Sequence, residues 1–231
     1  MKKGIACSLL LYLSFTSLIW AQPFQNLDFE SANLVSVPTD PYNRDYFDLA
    51  FPGWSGFTGT NQLNAVLHDG IFLDSAGISI FDANPSFLID GSYTVLLQSG
   101  NPLLGSSATN VNASISQTAL VPVGTKSLTF LARPIGPFSV SLGGSNLTLI
   151  SFPVANQNYS LYEADISTFA GLTEALTFTA LAQPIHANDG WLYLDDIQFS
   201  PTVIPEPSTM SILIVGVLGL FFWQRTHRKT A

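Results

Sequence analysis

Trp191-Leu192-Tyr193-Leu194-Asp195-Asp196-Ile197-Gln198-Phe199 reads as a β-strand, and the strand habit it shows recurs along the chain. Period-two alternation puts Asp195 on the side of Ile197 and Phe199, toward a core, and turns Asp196 outward. A carboxylate that faces inward has to be paired, protonated or bound to a metal. The simplest partner set is backbone N–H groups at a bulge or a strand end. The last strand therefore announces both an all-β fold and a candidate site.

Upstream, Phe24–Glu30 alternates, with Leu27 and Phe29 on one side and Asn26, Asp28 and Glu30 on the other. Ile78 and Ile80 flank Ser79, and a turn at Asp90-Gly91 leads into a strand over Tyr93–Gln98. Further strands are expected over Ser114–Leu120, Leu128–Ala132, Phe138–Leu142, Leu147–Phe152, Asn158–Glu163 and Ala175–Ala180. Gly143-Gly144-Ser145-Asn146 is a hairpin turn between two of them. Asp165–Gly171 is the one place expected to make a helical turn, capped by Asp165 or Ser167 and ended by Gly171. There is no long amphipathic helix and no repeated unit. About ten short strands in one domain of about 180 residues predict an all-β fold, a single antiparallel β-sandwich.

The two ends read differently. Met1-Lys2-Lys3 followed by apolar Gly4–Trp20 is a signal peptide over residues 1–21, with Ala21 the last residue before cleavage. It contains the only cysteine, Cys7, so the exported chain has neither thiol chemistry nor disulfides. At the other end, a linker over 201–209 holds Ile204-Pro205-Glu206-Pro207. An apolar transmembrane helix over 210–224 and a basic cytoplasmic tail over 225–231 follow. The fourteen apolar residues Met210–Trp223 rise about 21 Å as a helix, short of a hydrocarbon core of about 30 Å. Arg225, Arg228 and Lys229 hold the tail inside, and the two prolines keep the preceding peptide extended and accessible.

Pro205, Glu206 and Pro207 with the short span and the Arg225/Arg228/Lys229 end resemble the PEP-CTERM sorting signal. The resemblance covers residues 204–231. It implies an exosortase-type processing enzyme of Gram-negative bacteria as partner, an inner-membrane intermediate, and release to the cell surface or the extracellular matrix. The plainer alternative is a single-pass anchor after a proline linker.

With both ends set aside, Arg44, Lys126 and Arg133 are the only cationic residues against sixteen carboxylates, a net charge near −13. Such a field repels nucleic acid and favours divalent cations. It also serves solubility alone.

Asn26–Glu30, Pro52-Gly53-Trp54, Asp90–Tyr93 and Leu194–Ile197 together resemble jelly-roll carbohydrate-binding modules of the galactose-binding type, loosely and across most of 24–200. The resemblance implies a jelly-roll-like sandwich whose first and last strands are neighbours. It also implies a structural calcium there, for which Asp28, Glu30, Asp195 and Asp196 are the candidate ligands. Glycan binding points to the loop Thr39–Asp48, where Tyr42, Tyr46 and Trp54 would form a stacking platform and Arg44 and Asp45 would orient hydroxyls. The competing reading makes Trp54 a core residue and the loop a solvated connection.

No hydrolase elbow, zincin motif, phosphate loop or dinucleotide fingerprint is present. His68 and His186 are the histidines of the exported part, and adjacency of His68 and Asp69 does not bring their side chains together on a strand. A glycan-processing enzyme would need two facing carboxylates that nothing in the sequence selects. The expectation is a non-catalytic surface or matrix protein, associated with exopolysaccharide, with a glycan-specific binding module as the alternative.

Overall fold

The computed structural model describes residues 22–73, 75–102, 109–183 and 190–203. The expected signal peptide, the Pro-Glu-Pro motif, the apolar helix, the basic tail and His186 lie outside these residues.

The strands in chain order are β1 (Arg44–Tyr46), β2 (Ser55–Thr58), β3 (Asn61–Gln62), β4 (Ala65–His68) and β5 (Gly77–Phe81). Then come β6 (Thr94–Gln98), β7 (Ala113–Leu120), β8 (Ser127–Ile135), β9 (Phe138–Leu142) and β10 (Ser145–Asn146). The last four are β11 (Ile150–Pro153), β12 (Ser160–Asp165), β13 (Thr173–Ala180) and β14 (Trp191–Ser200). They form an eight-stranded sheet ordered β1-β4-β5-β6-β14-β8-β12-β11 and a six-stranded sheet ordered β10-β9-β13-β7-β2-β3. The fold is all-β with two sheets, as a sandwich requires.

Alternation builds the core. On β7, Ala113, Ile115, Gln117 and Ala119 turn inward and Ser114, Ser116 and Thr118 outward. Val95, Leu97, Leu192 and Leu194 meet them from the other sheet, and Phe130 of β8 packs edge-on against Phe178 of β13 at 5.1 Å. Such an aromatic contact adds about 1 kcal/mol beyond the area it buries. The inward Gln117 is satisfied by the backbone of Gln25, accepting from its N–H at 2.6 Å and donating to its carbonyl at 3.0 Å. That exchange fastens the N-terminal segment across the end of the sandwich.

The outer face of the eight-stranded sheet is also covered. Phe81, Leu96 and Tyr193 lie beneath Phe87, Leu88 and Ile89. Arg133 stands 3.9 Å over the Tyr193 ring and donates to the Ser86 carbonyl at 2.9 Å. β5 and β6 are therefore buried on both faces along their whole lengths, which explains their nearly continuous apolar sequence.

The hairpin turn forms at Gly143 (φ 58°) and Gly144 (φ 77°), the paired left-handed geometry of a two-residue loop. A 3₁₀ turn spans Ser167–Phe169; Asp165 Oδ1 accepts the Ser167 N–H at 2.8 Å, and Gly171 follows at φ 80°. It is not the one helical turn, as the sequence suggested, since Phe47–Ala50 forms another directly after β1. Three other expectations need correction. Phe24–Glu30 is not a strand, because Asn26 (φ 49°) and Phe29 (φ 59°) break the extended backbone; the segment still buries Phe29 and lies against the last strand, Leu27 accepting the Ile197 N–H at 3.0 Å. The sheets are not wholly antiparallel, since β4 and β5 run parallel. Asp195 does not face the space between the sheets. The register breaks after Asp195 and Asp196 sits at φ 44°, so Leu194 and Ile197 are both in the core and Asp195 joins the outer face with Tyr193.

Candidate functional site

The loop before β1 is built around Asp40. Its Oδ1 accepts the Tyr42 N–H at 2.8 Å, and its Oδ2 accepts from Arg44 Nε at 2.9 Å and the adjoining guanidinium nitrogen at 2.5 Å. The guanidinium holds the Asp40 carboxyl below its usual range, and Asp40 in turn raises Arg44. Arg44 also lies 5.6 Å from the Tyr42 ring centroid. The clamp thus fixes the ring while leaving it 61% exposed.

Tyr42 and Arg44 stand beside an open groove of about 460 Å³ whose other walls include Leu67, Phe72, Leu73 and Pro102. Its floor is held in place. Gln98, fully buried on β6, donates to the Phe72 carbonyl and accepts the Phe72 N–H at 3.1 Å. Gly77 leaves the space that the Phe72 ring fills; a Cβ there would lie 2.2 Å from the ring. Gly77→Ala is accordingly expected to displace Phe72 and cost about 1–3 kcal/mol, measurable as a lower urea midpoint. The groove is mostly apolar with a charged rim, the usual make-up of a small-ligand site.

The five residues expected to bind glycan do not converge. Tyr42 and Arg44 line the groove. Asp45 points to the opposite face of β1 and is 1% exposed, and Tyr46 is half-exposed on Arg44's side without lining the groove. Trp54 is 5% exposed, donates from Nε1 to the Asn26 carbonyl at 3.0 Å, and packs against Phe29 and Phe178. It is a core residue and supplies no platform. Sequence reasoning missed Leu67, Phe72, Leu73 and Pro102. The signal was Ile71-Phe72-Leu73, three apolar residues directly after the turn pair Asp69-Gly70.

The four carboxylates expected around calcium are directed to protein groups. Glu30 Oε1 accepts the N–H groups of Ser92 and Tyr93 at 2.7 and 3.0 Å. Asp28 accepts from the Glu30 N–H at 3.3 Å, and Asp196 from Gln198 Nε2 at 2.8 Å. Asp195 accepts from Thr94 Oγ1 at 2.7 Å, from the Asp196 N–H at 2.8 Å and from the Asp90 N–H at 3.2 Å. Burial pushes Asp195 up to about 7 against those donors. Among the described residues these four form no cluster of metal-ligand spacing. The bulge is the cause, since it sends Asp195 to one side of the strand under the 82–93 loop while Glu30 is spent on the Asp90-Gly91 turn.

No family model matches the sequence, and no curated protein matches it. Among solved structures, TmCBM61 in complex with β-1,4-galactotriose is similar over 78% of this chain and 97% of its own, with 14% identity and a TM-score of 0.37. The K2 cleaved adhesin domain of Lys-gingipain covers 75% and 96%, with 14% identity and a TM-score of 0.40. The family 11 carbohydrate-binding module of Clostridium thermocellum, bound to a mixed-linked tetrasaccharide, covers 67% and 92%, with 10% identity and a TM-score of 0.35.

Proposed function

We propose that the chain is an exported, non-catalytic protein of the cell surface or extracellular matrix whose jelly-roll-like sandwich binds an exopolysaccharide at the Tyr42 groove. The observation that carries this reading is the Tyr42 ring, exposed beside a preformed apolar groove and braced by the Arg44–Asp40 pair. A sugar stacks its C–H face on such a ring, and the guanidinium offers donors to hydroxyls or to a uronate carboxylate. The rest of the surface repels nucleic acid by its charge.

The test is a polysaccharide panel applied to the detergent-solubilised full chain and to Tyr42→Ala. Binding is expected to weaken about tenfold or more in the variant, a change of about 1.4 kcal/mol, with no cleavage of any bound glycan. Equal binding by both proteins would remove the groove from the reading, and release of oligosaccharides would replace the binding protein with an enzyme.

Delivery rests on Pro205-Glu206-Pro207, the short apolar span and the basic end. Mass spectrometry of the protein from its native host is expected to find a mature form starting near Gln22 and ending near Pro207. Pro205→Ala/Pro207→Ala should abolish that C-terminus. A C-terminus intact to Ala231 in the unmutated protein would make the tail a plain anchor.

A further inference from the structure

The inner face of the β1/β4/β5 edge carries a second group of residues that the groove does not use. β4 ends at His68, and Asp69 enters the left-handed region at φ 47°. That single residue overturns the expectation from strand geometry, because it swings the Asp69 carboxylate back toward His68. His68 Nε2 lies 3.2 Å from Asp82 Oδ1 and 3.6 Å from Asp69 Oδ2. Asp69 is anchored through its other oxygen, which accepts the N–H groups of Asp82 and Ala83 at 3.2 and 3.4 Å. One ligand atom from each of the three residues falls within 4.8 Å of the other two.

Asp45 supplies the independent observation. It is 1% exposed, its Oδ2 has no satisfied hydrogen bond, and that oxygen stands 3.1 Å from His68 Nδ1. A buried carboxylate with an unfilled acceptor needs the Nδ1 proton. With the Nδ1 side turned to Asp45, Nε2 points at the carboxylate oxygens of Asp69 and Asp82, the placement of a ligand nitrogen beside two ligand oxygens. A carboxylate behind the distal nitrogen of a histidine is the usual support of a metal-binding imidazole.

The geometry points to a divalent transition-metal site of the zinc class, with His68 Nε2, Asp69 Oδ2 and Asp82 Oδ1 as ligands and Asp45 as the outer partner that fixes the imidazole. At zinc–nitrogen and zinc–oxygen distances of about 2.0–2.1 Å, tetrahedral ligand atoms are separated by about 3.4 Å. The two histidine-to-carboxylate separations bracket that value. The imidazole selects against calcium and magnesium, which take oxygen ligands. The three ligands are partly exposed, which leaves room for water at the fourth position. The ion would staple the end of β4 to the residue after β5, where the parallel pair has only two registered positions.

The experiment is isothermal titration of the chelator-treated, detergent-solubilised full chain with zinc chloride, and with calcium chloride in parallel. The unmutated chain is expected to bind one zinc ion at micromolar concentration or below, and to melt at a higher temperature with zinc than without it. Calcium at the same concentration should do neither. Asp82→Asn, which changes a partly exposed side chain, should weaken zinc at least tenfold, and His68→Gln should do the same. Cobalt in place of zinc should give visible absorption bands that are lost in His68→Gln. Failure to bind zinc below about 1 mM would overturn the site. Equal zinc affinity in Asp82→Asn, or calcium binding as tight as zinc, would also overturn it.

Discussion

Trp54→Ala is expected to lower the free energy of unfolding by about 3–5 kcal/mol, the range for deleting a large aromatic from a closed core. The indole lies between the N-terminal segment and the six-stranded sheet, with ring centroids 5.9 Å from Phe29 and 6.3 Å from Phe178. Its Nε1 also satisfies the Asn26 carbonyl at the residue whose left-handed turn redirects the segment. The substitution thus opens a cavity, strips an acceptor and loosens the cover over the sandwich at once. Urea denaturation followed by circular dichroism reads the change, and a loss below about 1 kcal/mol would contradict the packing described. Tyr42→Ala should behave in the opposite way, with the urea midpoint nearly unchanged and glycan binding weakened. The pair separates the aromatic that builds the fold from the one that meets a ligand.

Stability is expected to fall as pH rises toward neutrality, with Asp195 as the cause. Burial first, and the nearby Asp90 charge least, raise its folded value to about 7, over the opposition of Thr94 and the N–H groups of Asp196 and Asp90. The unfolded value is about 3.9. Between those two values the native state holds a proton that the unfolded state has released. The contribution is therefore fully present below about pH 4 and is lost as pH rises through about 7, at no more than about 1.4 kcal/mol per unit. Asp195→Ala removes this dependence. It also leaves Thr94 Oγ1 and two backbone N–H groups without their acceptor, so the variant is less stable throughout. The gap between wild type and variant should be about 2–3 kcal/mol wider at pH 5 than at pH 8, read from urea midpoints. A gap independent of pH would show that Asp195 is ionised across that range.

Period-two counting located β6, β8, β9, β13 and β14 to within a few residues, and the turn residues placed the Gly143-Gly144 hairpin and the 3₁₀ turn after Asp165. Those signals are local, and side-chain alternation or glycine conformation carries them. Three of the failures share one cause. Phe29, Asp69 and Asp196 are non-glycine residues in the left-handed region, and each reverses the side on which its neighbours fall. Phe29 ended an expected strand, Asp196 moved Asp195 to the outer face, and Asp69 brought its carboxylate to His68. Aspartate enters that region more readily than most residues, but residue type does not say which aspartate will, because tertiary packing selects the position. β1 to β4 were missed for another reason. They are two to four residues long and acquire their strand character by pairing at a sheet edge.

Strand β14, ten residues long, lies in the middle of the eight-stranded sheet. Trp191 pairs with Gln98 beside the groove floor, and Ser200 pairs with Ser127 at the far end. There the Ser127 hydroxyl holds the Thr202 carbonyl, and Gln22 bonds to Leu120. At about 3.3 Å per residue, the two ends of β14 are separated by about 30 Å. Anything that grips the chain beyond Val203 pulls on the end of β14 remote from Gln98 and the groove floor it holds. A tether there would act as a mast, with the length of β14 standing between the point of attachment and the groove floor.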